Sequence, residues 1–181
     1  CHIDTTPLKK LYEWCTIARE ILTDEYNVSR VIARPFEGES GNYKRISAAR
    51  KDYSVLPTKP TILNALEKSG AKVIGVGKIE DIFVKSGLTH SIHTGCNKEG
   101  IKVILELLKG NFDLNKISLN PSKDYSNAQN ELIFVNLVDT DMLFGHRNDV
   151  KGYAKALEEI DTALGQIIEM ITPDDLLIIT A

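Results

Sequence analysis

From residue 60 onward the chain alternates short apolar runs with segments of helical period, and this rhythm limits the folds open to it. TILNALEKSG (61–70), IEDIF (79–83), NKEGIKVILELLKG (97–110) and DVKGYAKALEEIDTALGQIIEMI (149–171) read as helices. AKVIGVG (71–77), ELIFVNLVD (131–139) and DLLIIT (175–180) read as strands. Strands without polar alternation are buried on both faces, and helices between them supply the crossovers of a parallel sheet. The fold class is therefore α/β. The first part of the chain lacks this rhythm. Thr6 and Pro7 signal an N-cap and first turn for an amphipathic helix over 7–23, a β-like run follows at 28–33, and a loop rich in Gly, Ser, Asn and basic residues comes next. A boundary is placed near residue 57. The polar stretch 111–130 is expected to be a surface insertion. The end, LLIITA, reads as a buried strand cut at its carboxyl edge, so the chain is expected to be an excerpt of a longer protein.

A formal charge of -3 gives no general attraction for nucleic acid or an anionic membrane. No apolar stretch reaches the roughly 20 residues that span a bilayer, and the start has no signal-peptide core, so the cytoplasm is the expected location. The three cysteines, Cys1, Cys15 and Cys96, form no CxxC pair. Reduced thiols fit that pattern better than a disulfide framework.

Candidate chemistry gathers in LVDTDMLFGHRND (137–149), where Asp139, Asp141 and His146 follow the end of a strand. Carboxylate plus imidazole suits a divalent transition metal, with Gly145 freeing the turn to fold back. A solvated turn is the competing reading, and spacing alone leaves it open. Asp149 is assigned as the N-cap of the following helix, whose apolar stripe runs Val150, Tyr153, Leu157, Ile160, Leu164 and Ile168. Arg30, Arg34, Lys44, Arg45 and Arg50, interleaved with glycines, are suited to a phosphate or to a solvated basic loop. Lys78 in GVGKIED lies at a strand's carboxyl edge, although the motif matches no nucleotide-binding fingerprint. His90 and His93 make a weak candidate metal pair, since only Cys96 lies at ligand spacing. No Ser/His/Asp triad or nucleophile elbow stands out, and no catalytic nucleophile is assigned.

Taken together, RVIARPFEGESGNYKR (30–45), KDYSVLP (51–57), VIGVGKIEDIF (73–83), NLVDTDMLFGHRNDVKGYAKALEEID (136–161) and DDLLIITA (174–181) resemble the bacterial phosphopentomutase family of the alkaline phosphatase superfamily. The resemblance implies an α/β core, here partial, plus part of a smaller α+β cap. Residues 1–56 would be the C-terminal part of the substrate-selecting cap and residues 57–181 the middle of the metal-binding core. It implies an isomerase that interconverts ribose 1-phosphate and ribose 5-phosphate, and their deoxy analogues, through a phosphothreonine with two Mn2+ ions. Carried over by position, Asp141 and His146 match manganese ligands, while Arg30 and Ile32 match cap residues that contact the sugar phosphate. Lys78 matches the lysine of the GKIxDI motif, expected near the phosphate, and Arg45 is a candidate substrate contact. Asp139 matches the first Asp of the family's DFD and stays outside the metal set.

The sequence departs from the family at Thr140, where Phe is usual, at Asn148, and at TGCNKEG, where a Ser-Asn-x-Asp-Gly pattern is usual. The family's nucleophilic threonine and first metal-binding aspartate are expected upstream of Cys1, and its Asp-His-Gly ligands after Ala181. This polypeptide alone is accordingly expected to be inactive. Alternatives are another phosphomutase or phosphatase of the same superfamily, or a non-catalytic remnant acting as a binding module.

Overall fold

The computed structural model describes all 181 residues, apart from the Ser47 side chain. The chain divides into two compact units, Cys1–Thr58 and Lys59–Ala181.

In the first unit, helix α1 (Leu8–Ile21) lies on a two-stranded antiparallel ribbon of β1 (Arg30–Ala33) and β4 (Lys51–Ser54). A second ribbon joins β2 (Phe36–Glu37) to β3 (Lys44–Arg45). Leu11, Cys15 and Ala33 are buried together, with Tyr12, Val31 and Tyr53 packed around them. The Tyr12 hydroxyl donates to the Ala49 carbonyl at 2.7 Å, which joins the helix to the segment before β4. Burial pushes the Cys15 thiol above its usual pKa and keeps it protonated. Pro7, rather than Thr6, occupies the cap position of α1, with extended backbone and no side-chain cap.

The second unit is built on a parallel sheet of β5 (Lys72–Val76), β6 (His90–Ile92) and β7 (Glu131–Val135), in the order β6-β5-β7. Alternation along the strands sorts side chains to two faces. Val73 packs with Leu63, Ile79 and Leu88, and with Leu132 and Phe134 of β7. Ile74 and Val76 pack with Ile92 and Leu107, and with Ile133 and Val135. Helices α2 (Ile62–Lys68) and α3 (Ile79–Phe83) cover the first face, and α4 (Asn97–Leu108) covers the second. Helix α5 (Val150–Ile168) packs beside α4. Among the described residues, no helix is long and apolar enough to cross a membrane.

Three expectations are corrected. Residues 175–180 form no strand; they follow a turn in which the Asp175 carboxylate accepts from Thr172 N and Oγ1, and Leu176 is 84% exposed. An apolar run becomes a strand only where a neighbour pairs its amides, and no described strand does so here. Residues 111–130 are only partly a surface insertion, since Phe112, Leu114 and Ile117 cover the second face of the sheet and Leu119 the first. On α5 the buried positions are Ala156, Ala163 and Ile167, whereas Val150, Tyr153, Leu157 and Ile168 of the expected stripe are exposed.

Two measurements test this packing. Gly77 follows β5 with a left-handed φ of +81°, and an added Cβ would overlap the Asn136 carbonyl; Gly110 is also left-handed, at +69°, but has open space. Gly110→Ala should cost about 1 kcal/mol and Gly77→Ala about 2–4 kcal/mol in chemical denaturation. Equal losses would remove the close approach as a constraint. His90, 4% exposed, meets the Tyr125 ring edge-on with Nδ1 2.7 Å from Thr89 Oγ1. Burial, and secondarily Lys72, holds its pKa below the usual value. Its neutral form therefore contributes stability that is complete above the unfolded value of about 6.5 and is lost as pH falls toward the lower folded value. Urea titrations between pH 7 and 5 should show a loss of stability that His90→Gln reduces; an unchanged slope in the variant would exclude His90 as its source.

Candidate metal centre

The three strands run parallel, so their carboxyl ends share one edge. The chain leaves β5 toward β6 and then crosses back to β7 on the opposite side. The strand order thus reverses between β5 and β7, and the crevice outside the carboxyl ends of such a pair is where open α/β sheets bind ligands. Gly77 and Lys78 follow β5 there, and residues 136–149 follow β7.

That second connection has unusual local winding. Asn136 N donates to Val76 O at 3.0 Å, and Val138 is buried. The backbone then makes a π-helical turn, Thr140–Phe144, a 3-10 turn, Gly145–Arg147, and a left-handed Asn148 before α5 starts. In an α-helix, positions five apart lie about 140° apart around the axis and face away from one another. The altered winding brings Asp141 and His146 together, with His146 Nε2 3.1 Å from Asp141 Oδ1. Gly145 serves this turn through space rather than conformational freedom. Its φ is an ordinary -59°, but an added Cβ would lie 2.9 Å from the Thr140 carbonyl oxygen. Gly152 leaves similar room for the Phe144 ring against the first turn of α5. Asp149 caps that helix by accepting from Gly152 N at 2.9 Å.

Lys78 Nζ stands 4.0 Å from Asp141 Oδ2, so Lys78, Asp141 and His146 form one polar group. Asp141 and His146 are exposed, their side chains 63% and 76% accessible. An ion pair so exposed contributes no more than about 1 kcal/mol, too little to explain the turn as a stabilising device. Two donor atoms bound to one ion at about 2.0–2.2 Å, with ligand angles of 90–109°, lie roughly 2.9–3.5 Å apart. The observed 3.1 Å fits that spacing, and carboxylate with imidazole is a suitable donor set. Among the described residues, no group of three or more His, Cys, Asp or Glu side chains surrounds one point.

Asp139 is engaged elsewhere. Its Oδ2 accepts from Asn97 N at 2.8 Å, and its own N donates to Asn97 Oδ1 at 2.9 Å. Sequence reasoning did not single out Asn97, which it met only within the TGCNKEG stretch at the start of a helix. His90 is buried in β6 against Tyr125. In the first unit, Arg30 and Ile32 stand two apart on β1, on one face of the ribbon, and Arg30 lies 3.6 Å from Asp52. Arg45 is exposed on the other ribbon, opposite Phe36.

Comparison with known proteins places the chain in a wider group. It is 47% identical over 180 residues to a phosphopentomutase of Caldanaerobacter subterraneus subsp. tengcongensis, covering 99% of this chain and 41% of that protein. It is 46% identical over 180 residues to the phosphopentomutase of Acetivibrio thermocellus, with 99% and 42% covered, and 47% identical over 178 residues to that of Deinococcus radiodurans, with 98% and 41% covered. The chain thus spans about two fifths of the length of the curated relatives it matches. The family model of the Metalloenzyme superfamily matches residues 25–181, and the chain belongs to that superfamily.

Proposed function

We propose that the chain is part of a phosphopentomutase, with residues 1–56 in its substrate-selecting cap and residues 57–181 in its metal-binding core. The intact enzyme interconverts ribose 1-phosphate and ribose 5-phosphate, and the deoxyribose analogues, in the cytoplasm as a step of nucleoside catabolism. The observation that carries this reading is the Asp141–His146 pair beside Lys78 at the reversal of strand order, in a chain 47% identical to phosphopentomutases.

Phosphoryl transfer brings a nucleophile toward an anionic phosphate, and the opposing barrier is electrostatic. Asp141 and His146 would serve as manganese ligands, together with ligands from other parts of the enzyme. When bound, the ions supply Lewis-acid stabilisation of the phosphate oxygens. Lys78 adds a cation at the same edge. Arg30 presents a planar fork of donors to the sugar phosphate, Ile32 lies against the sugar, and Arg45 contributes further positive charge. The nucleophile is a threonine that passes through a phosphorylated state, and it is none of the residues named here.

In the intact enzyme assayed with ribose 1-phosphate and Mn2+, His146→Ala should lower kcat/KM by more than about 100-fold, because losing a ligand costs more than losing a group that orients one. Unchanged turnover would remove His146 from the site, and release of inorganic phosphate in place of ribose 5-phosphate would mark a phosphatase. Arg30→Ala should act mainly on KM, raising it by about 10- to 100-fold, as expected for loss of charge-assisted hydrogen bonds. A KM unchanged from the parent would take Arg30 out of substrate binding.

A further inference from the structure

Asp141 carries its reactive atoms on an exposed side chain, so its position is set by the backbone that holds it. Two residues earlier, that backbone is fixed to a distant element. Asp139 and Asn97, 42 positions apart, exchange two hydrogen bonds, one from Asn97 N to Asp139 Oδ2 at 2.8 Å and one from Asp139 N to Asn97 Oδ1 at 2.9 Å. Asn97 is 6% exposed and is the first residue of α4, whose own cap residue, Cys96, offers no side-chain hydrogen bond. The Asp139 carboxylate therefore serves as the cap of a 12-residue helix, a position that favours negative charge. The neighbouring residues are held as well. An added Cβ on Gly100, in the first turn of α4, would meet Leu137 at 3.0 Å, and Val138 is 2% exposed. Met142 N returns to Val138 O at 2.9 Å, which links the π-helical turn to this fixed segment.

We propose that Asp139 and Asn97 are positioning residues: their reciprocal hydrogen bonds hold the start of the 139–146 turn on α4 and so set Asp141 for metal binding. Neither touches metal or substrate. The inference rests on the reading of Asp141 as a metal ligand. It separates two aspartates that stand only two apart, giving the metal to one and the helix to the other.

The test uses the intact enzyme, with Mn2+ affinity measured by titration against the electron paramagnetic resonance signal of free Mn2+. It also follows amide hydrogen exchange over residues 140–147 in metal-free protein. Asp139→Ala should weaken Mn2+ binding about 10- to 100-fold and speed exchange in the turn, the size seen when a group that orients a ligand is removed. Asp139→Asn keeps an acceptor oxygen for the helix amide and should recover most of the affinity. Saturating Mn2+ should restore kcat in Asp139→Ala with KM for ribose 1-phosphate within about twofold of the parent. If Asp139→Ala does not fold, Asn97→Ala, which removes the acceptor for Asp139 N, reads the same two quantities. Parental Mn2+ affinity in a variant that only melts earlier would reduce the pair to a helix cap. Affinity as weak as in Asp141→Ala, without recovery in Asp139→Asn, would make Asp139 a ligand itself. Unchanged affinity in Asp141→Ala would instead overturn the metal reading beneath the proposal.

Discussion

The parallel pairing of β5 with a strand on each side is the constraint from which the larger unit follows. Parallel neighbours need crossovers, and these put α3 on one face and α4 on the other, while α2, which precedes β5, shares the face of α3. The same pairing aligns three carboxyl ends, and the return from β6 across β5 to β7 brings Lys78 and the 139–146 turn to the same edge. Gly77 is part of this geometry, because β5 turns away where the Asn136 carbonyl already occupies the space.

Much of this was legible in the sequence because it is locally encoded. The helices carry their own period, β5 and β7 are unbroken apolar runs, and Asp149 is a cap of a familiar kind. The errors fall where tertiary contacts decide. β6 reads HSI, and its burial comes from neighbours such as Tyr125 rather than from its own hydrophobicity. The run at 175–180 has strand composition but no strand beside it among the described residues. On α5 the expected stripe is only partly right, since Ile160 and Leu164 are half-buried but the fully buried positions are Ala156, Ala163 and Ile167.

The site divides in the same way. The position of Lys78 at a strand's carboxyl edge follows from the order of elements, and Asp141 and His146 follow the end of β7. Their approach to 3.1 Å could not be read from spacing, because five residues in an ordinary helix would turn them apart. It depends on the winding of the turn, on room left by Gly145, and on the hold of Asp139 on Asn97. The pairing of Asn97 with Asp139 carried no local signal, since the two lie 42 residues apart.

The π-helical turn makes the segment sensitive to length in a way its composition conceals. Side chains at 142 and 143 point partly to solvent and leave room for exchange, so related chains can differ there in identity. A single inserted or deleted residue between Asp141 and His146 would rotate one donor away from the other by roughly a quarter to a third of a turn, while the sheet and helices on either side stayed paired. Such a lineage would keep the fold and both donors, yet lose the arrangement that places them side by side.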